Sequence, residues 1–190
     1  MFLVRKPSLA AIEGFLLQQQ KSSFSYAEIG ATNDPLPRDY VVDRNRVMLG
    51  SGPRIFLEGA ARLRAWEMFR LGWVDIFPPM AAISSGQTVA VLVNHFGFWS
   101  LNACRIVYTF DNERSYGFAY GTLEEHAEQG EERFSIDWSA EDDSVWYNIL
   151  AFSRPRKWQA RLAQSLSRRL QKRFARDSLA AMQAKQKIKS

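Results

Sequence analysis

Cysteine and histidine are nearly missing from this chain: one cysteine, Cys104, and two histidines, His95 and His126, among 190 residues. A lone cysteine excludes an internal disulfide and fits a reducing compartment. Three such residues without paired spacing supply no zinc-type ligand set, so no metal or other cofactor is expected. Long apolar runs are missing too, and none approaches the ~20 residues that a membrane-spanning helix needs. The opening stretch makes a poor signal peptide, because Glu13 and Gly14 interrupt its apolar part and glutamines stand where small cleavage-site residues belong. A cytoplasmic location is expected. No GxSxG, P-loop or Rossmann glycine pattern is found, and no internal repeat.

What is there suits one soluble domain: 46% hydrophobic and 24% charged residues over a length that holds a single substantial core. The net charge of +5 hides a split. Residues 154–190 carry twelve Lys/Arg and one acid, Asp177, whereas residues 1–153 carry thirteen basic and nineteen acidic groups. Such asymmetry marks either a surface for polyanions or a charged helix face lying against the chain's own acidic body. The second reading is the commoner one.

Hydrophobic periodicity places the elements. Residues 7–21 read as a helix with Pro7 in its first turn and Leu9, Ile12, Phe15 and Leu16 on one side. Residues 21–39 read as loop, 40–49 as a strand, and 54–71 as an amphipathic helix opened by Pro53. Residues 73–79 are extended or irregular, since Pro78-Pro79 cannot continue a helix. Strands follow at 88–96, 103–110, 115–123, 131–138 and 145–153. The last has both faces apolar, which calls for a cover from the N-terminal segment or from another subunit. From Pro155 to about Gln183 a long helix carries Trp158, Leu162, Leu166, Leu170 and Phe174 as a ridge expected to lie on the sheet, and its pattern weakens past Asp177. The division expected is an N-terminal helix and loop (1–38), one main domain (39–184) and a basic tail (185–190).

This order of elements resembles the START-like (SRPBCC) helix-grip domains, an α+β fold in which a curved antiparallel sheet wraps a long C-terminal helix and leaves a cavity between them. The local sequence is more specific. Asn102-Ala103-Cys104-Arg105-Ile106-Val107-Tyr108, Gly117-Phe118-Ala119-Tyr120-Gly121-Thr122-Leu123, Gly130-Glu131-Glu132-Arg133-Phe134 and Val145-Trp146-Tyr147 through Ala151-Phe152-Ser153-Arg154-Pro155 resemble an uncharacterised family of bacteria and plants. It is numbered nineteen-ninety among the domains of unknown function, and the likeness spans roughly residues 25–175. After its YGTL-like strand the family carries a Gly-His pair and a proline, where Glu125-His126-Ala127-Glu128 stands here. The resemblance implies a fold and a kinship, with no reaction attached.

Candidate chemistry is sparse. His95, beside Asn94 and Gly97, could sit at a cavity mouth, although a satisfied strand histidine is the commoner case. His126 with Glu124, Glu125, Glu131 and Glu132 is the densest group of acid/base residues, and a polar hairpin loop explains it equally. Cys104 alternates with Ile106, Tyr108 and Phe110 and reads as a core residue. Aromatic residues on nearly every strand are the stronger signal, because sheet–helix cavities lined in this way take apolar or amphipathic small molecules. The expected lining is Ile106, Tyr108, Tyr120, Phe134, Trp138, Trp146, Leu162 and Leu166, with His95, His126 and Glu131 as polar candidates. Non-catalytic binding of a small hydrophobic or amphipathic ligand is the leading expectation. Its rivals are a cyclase- or hydrolase-type enzyme in the same cavity, and RNA or an anionic membrane meeting the basic face of Arg161, Arg168, Lys172 and Arg173.

Overall fold

Side-chain alternation builds the sheet and decides what covers each of its faces. The computed structural model describes residues 2–95, 97–126, 128–155 and 164–184. In chain order the elements are β1 (Phe2–Leu3), α1 (Leu9–Gln19), β2 (Val41–Ser51), α2 (Pro53–Arg64), a 3-10 turn (Glu67–Phe69), β3 (Val74–Phe77), β4 (Thr88–His95), β5 (Phe98–Asp111), β6 (Ser115–Thr122), β7 (Glu128–Trp138), β8 (Ser144–Pro155) and α3 (Gln164–Ala184). Seven strands form one antiparallel sheet in the order β2-β8-β7-β6-β5-β4-β3. Strand β1 pairs with Trp99 and Ser100 of β5, a stretch that β6 does not reach.

Two local expectations are corrected, and a third is made specific. Ser8 is the N-cap of α1, its hydroxyl accepting from the Ala11 amide at 3.3 Å, so Pro7 lies ahead of the helix. The segment expected as extended or irregular is extended over β3, an edge strand with Val74 and Ile76 buried. Pro78 and Pro79 exclude a helix there but only end a strand, and an edge strand needs partners on one side alone. The helix expected over 54–71 breaks at Trp66, which adopts a left-handed conformation (φ 56°) before the 3-10 turn. That cost, unusual for a bulky residue, is offset by complete burial. The Trp66 ring packs on Phe118 at 4.9 Å and its indole N–H donates to the Ala81 carbonyl at 2.8 Å.

The convex face is covered by the N-terminal segment, which accounts for the doubly apolar β8. Helix α1 sets Ile12 and Phe15 against Ala90, Leu92, Leu101 and Ala103 of β4 and β5. The loop after it brings Tyr26 and Tyr40 edge-on to the fully buried Phe152, at 5.7 and 5.0 Å between ring centroids.

The concave face is covered by α2, the 3-10 turn and α3. Phe174 packs on Phe69 at 5.1 Å and on Phe134 at 6.4 Å. Burial on α3 deepens past Phe174, at Ala175, Ser178 and Met182, where the pattern was expected to weaken. Small residues let the helix close on its neighbours there: the Ser178 hydroxyl meets the Tyr147 phenol at 2.9 Å, and Arg62 of α2 donates to the carbonyls of Ala181 (2.6 Å) and Met182. Trp158 and Leu162 lie outside the described residues, as does the side chain of Leu166.

Candidate functional site

Cross-strand register sorts the concave face into rows. Thr109, Phe118, Phe134, Ile149 and Asn45 form one row, and Asp111, Tyr116, Ile136, Tyr147 and Val47 form the next. Their central members are buried aromatic and aliphatic side chains in mutual contact, with Phe118 and Phe134 rings 5.4 Å apart. One row further toward the start of α3 the character changes: Ile106, Tyr120, Glu132, Ala151 and Asp43. Beyond that row lie Cys104, Ser153 and Glu128. The face is apolar under α2 and the C-terminal half of α3, and polar under the N-terminal half of α3.

Glu132 stands at this boundary. Its Oε2 accepts from the Tyr120 phenol at 2.9 Å, and its Oε1 has no partner among the described residues. The residue keeps some accessible surface, yet burial pushes its carboxyl up to about 7, and the nearby Asp43 charge adds to the rise against the opposing Tyr120 bond.

Polar ties hold α3 over this end. Arg168 grips Asp43 with both nitrogens, one at 2.8 Å, and this bond holds the Asp43 carboxyl below its ordinary range. The Ser167 hydroxyl donates to Glu128 at 2.6 Å, and the Gln171 amide donates to the Ser153 hydroxyl at 3.2 Å. Burial raises the Glu128 carboxyl as well.

The expected lining residues divide between the two faces. Ile106, Tyr120 and Phe134 lie on the concave face and are buried. Trp138 lies on it too, but at the far end, stacked on Phe56 at 6.1 Å. Tyr108 and Trp146 are corrected to the convex face. For Tyr108 the cause is a β-bulge between Ile106 and Tyr108, which inverts the alternation so that its phenol bonds Thr32 at 2.7 Å in the N-terminal loop. Phe110 turns outward with it, under the Arg133 guanidinium at 4.5 Å. Trp146 has its ring under the Arg46 guanidinium at 4.4 Å.

Glu131 is corrected from ligand candidate to structural anchor. It faces the convex side and accepts from the Tyr26 phenol (2.7 Å), the Gly30 amide (2.7 Å), the Thr32 amide (3.0 Å) and the Thr32 hydroxyl. Its neighbour Glu132 is the concave carboxyl. The signal was present, since Glu132 shares parity with Phe134, Ile136 and Trp138, the apolar face of β7.

The remaining candidates are dispersed. His95 Nε2 meets the Ser100 hydroxyl at 2.6 Å near the β4–β5 turn, and burial holds its pKa below the ordinary value. His126 accepts at Nδ1 from the Glu128 amide at 3.0 Å, and burial pushes it down to about 4, so it is neutral at physiological pH. Among the described residues no three His, Cys, Asp or Glu side chains converge as a metal site would require. Cys104 is fully buried with its thiol pushed far up by desolvation. It should resist a thiol reagent such as dithiobisnitrobenzoate in the native state and react stoichiometrically in denaturant. Fast reaction without denaturant would show that its side of the sheet opens.

On the basic face, Arg161 lies outside the described residues. Arg168 is tied to Asp43, Arg173 pairs with Asp177 at 3.5 Å and lies over the Trp73 ring, and Lys172 is exposed. One of the three described cations, Arg168, therefore turns back on the acidic body, and a second, Arg173, pairs within its own helix. A separate cleft of about 370 Å³ opens at the other end of the sheet, lined by Arg64, Met80, Ile83, Phe110, Asp111 and Tyr116. Arg64 occupies its wall already partnered, over the Tyr116 ring at 3.9 Å and paired with Asp111 at 2.8 Å. No helix among the described residues is long and apolar enough to cross a membrane.

Comparison with known proteins agrees with this layout. The profile of a family described as a domain of unknown function (DUF1990) matches residues 25–181. A UPF0548 protein of Dictyostelium discoideum is 34% identical over 199 residues, covering 94% of this chain and 92% of that protein. Another, from Deinococcus radiodurans, is 36% identical over 190 residues, covering 93% and 94%. Among solved structures, a hypothetical protein of Helicobacter pylori superposes with a TM-score of 0.55 at 11% identity, covering 85% of this chain and 95% of that one, a likeness of fold alone.

Proposed function

The chain belongs to the DUF1990 family and has a helix-grip fold, and from this we propose that it binds a small amphipathic molecule between the sheet and the N-terminal half of α3. The observation that carries the reading is the change of character along the concave face. An aromatic floor runs without a break into a row holding Tyr120 and a carboxyl, Glu132, with one oxygen unpartnered among the described residues. Glu132 keeps some accessible surface, so this oxygen is open to a hydrogen bond from a guest. The apolar part of a guest would lie toward Ile106 and Phe174, and its polar end would meet Glu132.

Native mass spectrometry of the protein purified from its own source tests this. A mass increment lost on denaturation is the expected result, and its value gives the ligand class. A polypeptide mass alone, together with no saturable uptake of an apolar fluorophore such as anilinonaphthalene sulfonate, would overturn the reading.

Acid–base catalysis in the same place is the second reading, favoured by one observation: the Glu132 carboxyl titrates at about 7, where a group can both give and take a proton at working pH. Here the tightest-bound species would be converted on incubation, and a chemically unchanged ligand after prolonged contact argues against it.

A further inference from the structure

Resting on that binding reading, we propose that Glu132 and Tyr120 receive a cationic group, the protonated amine of the bound amphiphile. Charge on the concave face carries the inference. Three carboxyls share its polar end: Asp43 on β2, and Glu128 and Glu132 on β7. Arg168 of α3 grips Asp43 through both guanidinium nitrogens and its charge also favours an ionised Glu128, while Lys172 adds to the hold on Asp43, so Glu132 is the carboxyl on which none of these cations acts. Glu128 is held by the neutral Ser167 hydroxyl and Glu132 by the neutral Tyr120 phenol, and neither forms an ion pair among the described residues. Among the described residues the titratable and charged groups around Glu132 are Tyr120 on β6, Cys104 on β5, Tyr147 on β8, Asp43 on β2 with Arg168 and Lys172 of α3 behind it, and Glu128 at the end of its own strand. Burial raises the phenols and the thiol, so all three are neutral, and among the described residues the Glu132 charge has no paired cation.

Three head groups can be compared on this ground. An anionic head would face Asp43 and Glu128 as well as Glu132, and like charges at close range in a low dielectric are strongly repelled. A neutral hydroxyl can bond the open Oε1 but leaves the carboxylate charge uncompensated. An ammonium bonds Oε1, compensates the charge and relieves the repulsion from Asp43, so its attraction is the largest of the three. Tyr120 fixes the carboxyl by holding Oε2, which leaves Oε1 for the guest.

Affinity for the amine then depends on pH with a defined sign. Binding needs Glu132 ionised, and its carboxyl sits at about 7, whereas an alkylamine resembles lysine at about 10.4 and stays charged. Affinity should rise roughly 10- to 30-fold from pH 5.5 to pH 8 as the carboxylate population grows.

Isothermal titration calorimetry with dodecylamine, dodecanol and dodecanoate, each below its micellar concentration, tests the inference. At pH 8 the amine should bind wild-type protein at least ~10-fold more tightly than either other chain, a gap that one charge-assisted contact supplies. In Glu132→Gln, which keeps the shape, the preference should fall to within about threefold while dodecanol binding holds. Tyr120→Phe should weaken the amine severalfold and leave dodecanol nearly unchanged, an independent check should the first variant fold poorly. Equal binding of the three chains to wild type, or an amine preference that survives Glu132→Gln, overturns the cation site and leaves the binding reading standing. Failure of all three chains to bind overturns both.

Discussion

Replacing Glu131 with alanine should destabilise the fold by about 3–5 kcal/mol, among the largest losses available to a single polar residue here. The carboxylate is 2% exposed and takes four hydrogen bonds, from the Tyr26 phenol, the Gly30 and Thr32 amides and the Thr32 hydroxyl. Truncation strands those donors against the sheet, and each buried donor left without an acceptor costs on the order of 1–3 kcal/mol. Tyr26 is seated a second way, since its ring lies where a side chain at Gly121 would go: a Cβ there would stand 2.8 Å from the ring's Cε1 and Cζ. Gly121→Val should therefore release the same loop by a different route. Chemical denaturation reads the stability loss, and limited proteolysis should show new cleavage within residues 22–38 in both variants. A loss below about 1 kcal/mol for Glu131→Ala would mean that the aromatic contacts of Tyr26 and Tyr40 with Phe152 hold the loop by themselves.

Glu132→Gln should do the reverse and raise stability at pH 8, by up to about 2–3 kcal/mol. The carboxyl is raised from 4.5 to about 7, and each pK unit corresponds to about 1.4 kcal/mol. Below pH 4.5 it is protonated in both the folded and the unfolded chain. Between 4.5 and about 7 the folded chain holds the proton and the unfolded chain has lost it, so stability falls as pH rises and the loss is complete by pH 8. His126 works in the other direction. Its ring is lowered from 6.5 to about 4, so between these values the unfolded chain binds the extra proton and stability climbs with pH. The two slopes oppose each other in wild type across the overlapping range. Removing Glu132 should expose the histidine slope, and urea denaturation from pH 4 to pH 8 distinguishes the profiles. Equal stability of variant and wild type at pH 8 would show that the Glu132 carboxyl is solvated in the folded state.

The two neighbouring glutamates show where sequence reading reaches and where it stops. Alternation through Phe134, Ile136 and Trp138 was enough to place β7, and the same parity puts Glu132 on its apolar side, although Glu131 was the carboxyl expected to meet a ligand. The purpose of each carboxyl was not legible. Glu131 draws its partners from residues 26–32, about a hundred positions away in the chain, and no local pattern encodes a contact of that range. Tyr108 is harder still: one bulged residue before it inverts the face of everything that follows on β5, and a bulge depends on how two strands twist against each other.

The sequence by itself determined the class and order of the elements. Apolar periods of two and of three to four, with proline and glycine at the breaks, are local properties that the backbone must obey wherever it lies. They led to an α+β chain with a long terminal helix and to the five strands of its second half, while its family came from the resemblance of short local motifs. Only the tertiary structure decided which face each aromatic serves, that the N-terminal segment covers the convex side, and that α3 seats most deeply at Ala175, Ser178 and Met182. Those outcomes depend on what lies opposite a residue in space, and packing in three dimensions set one glutamate at the polar end of the concave face while tying its neighbour down as an anchor.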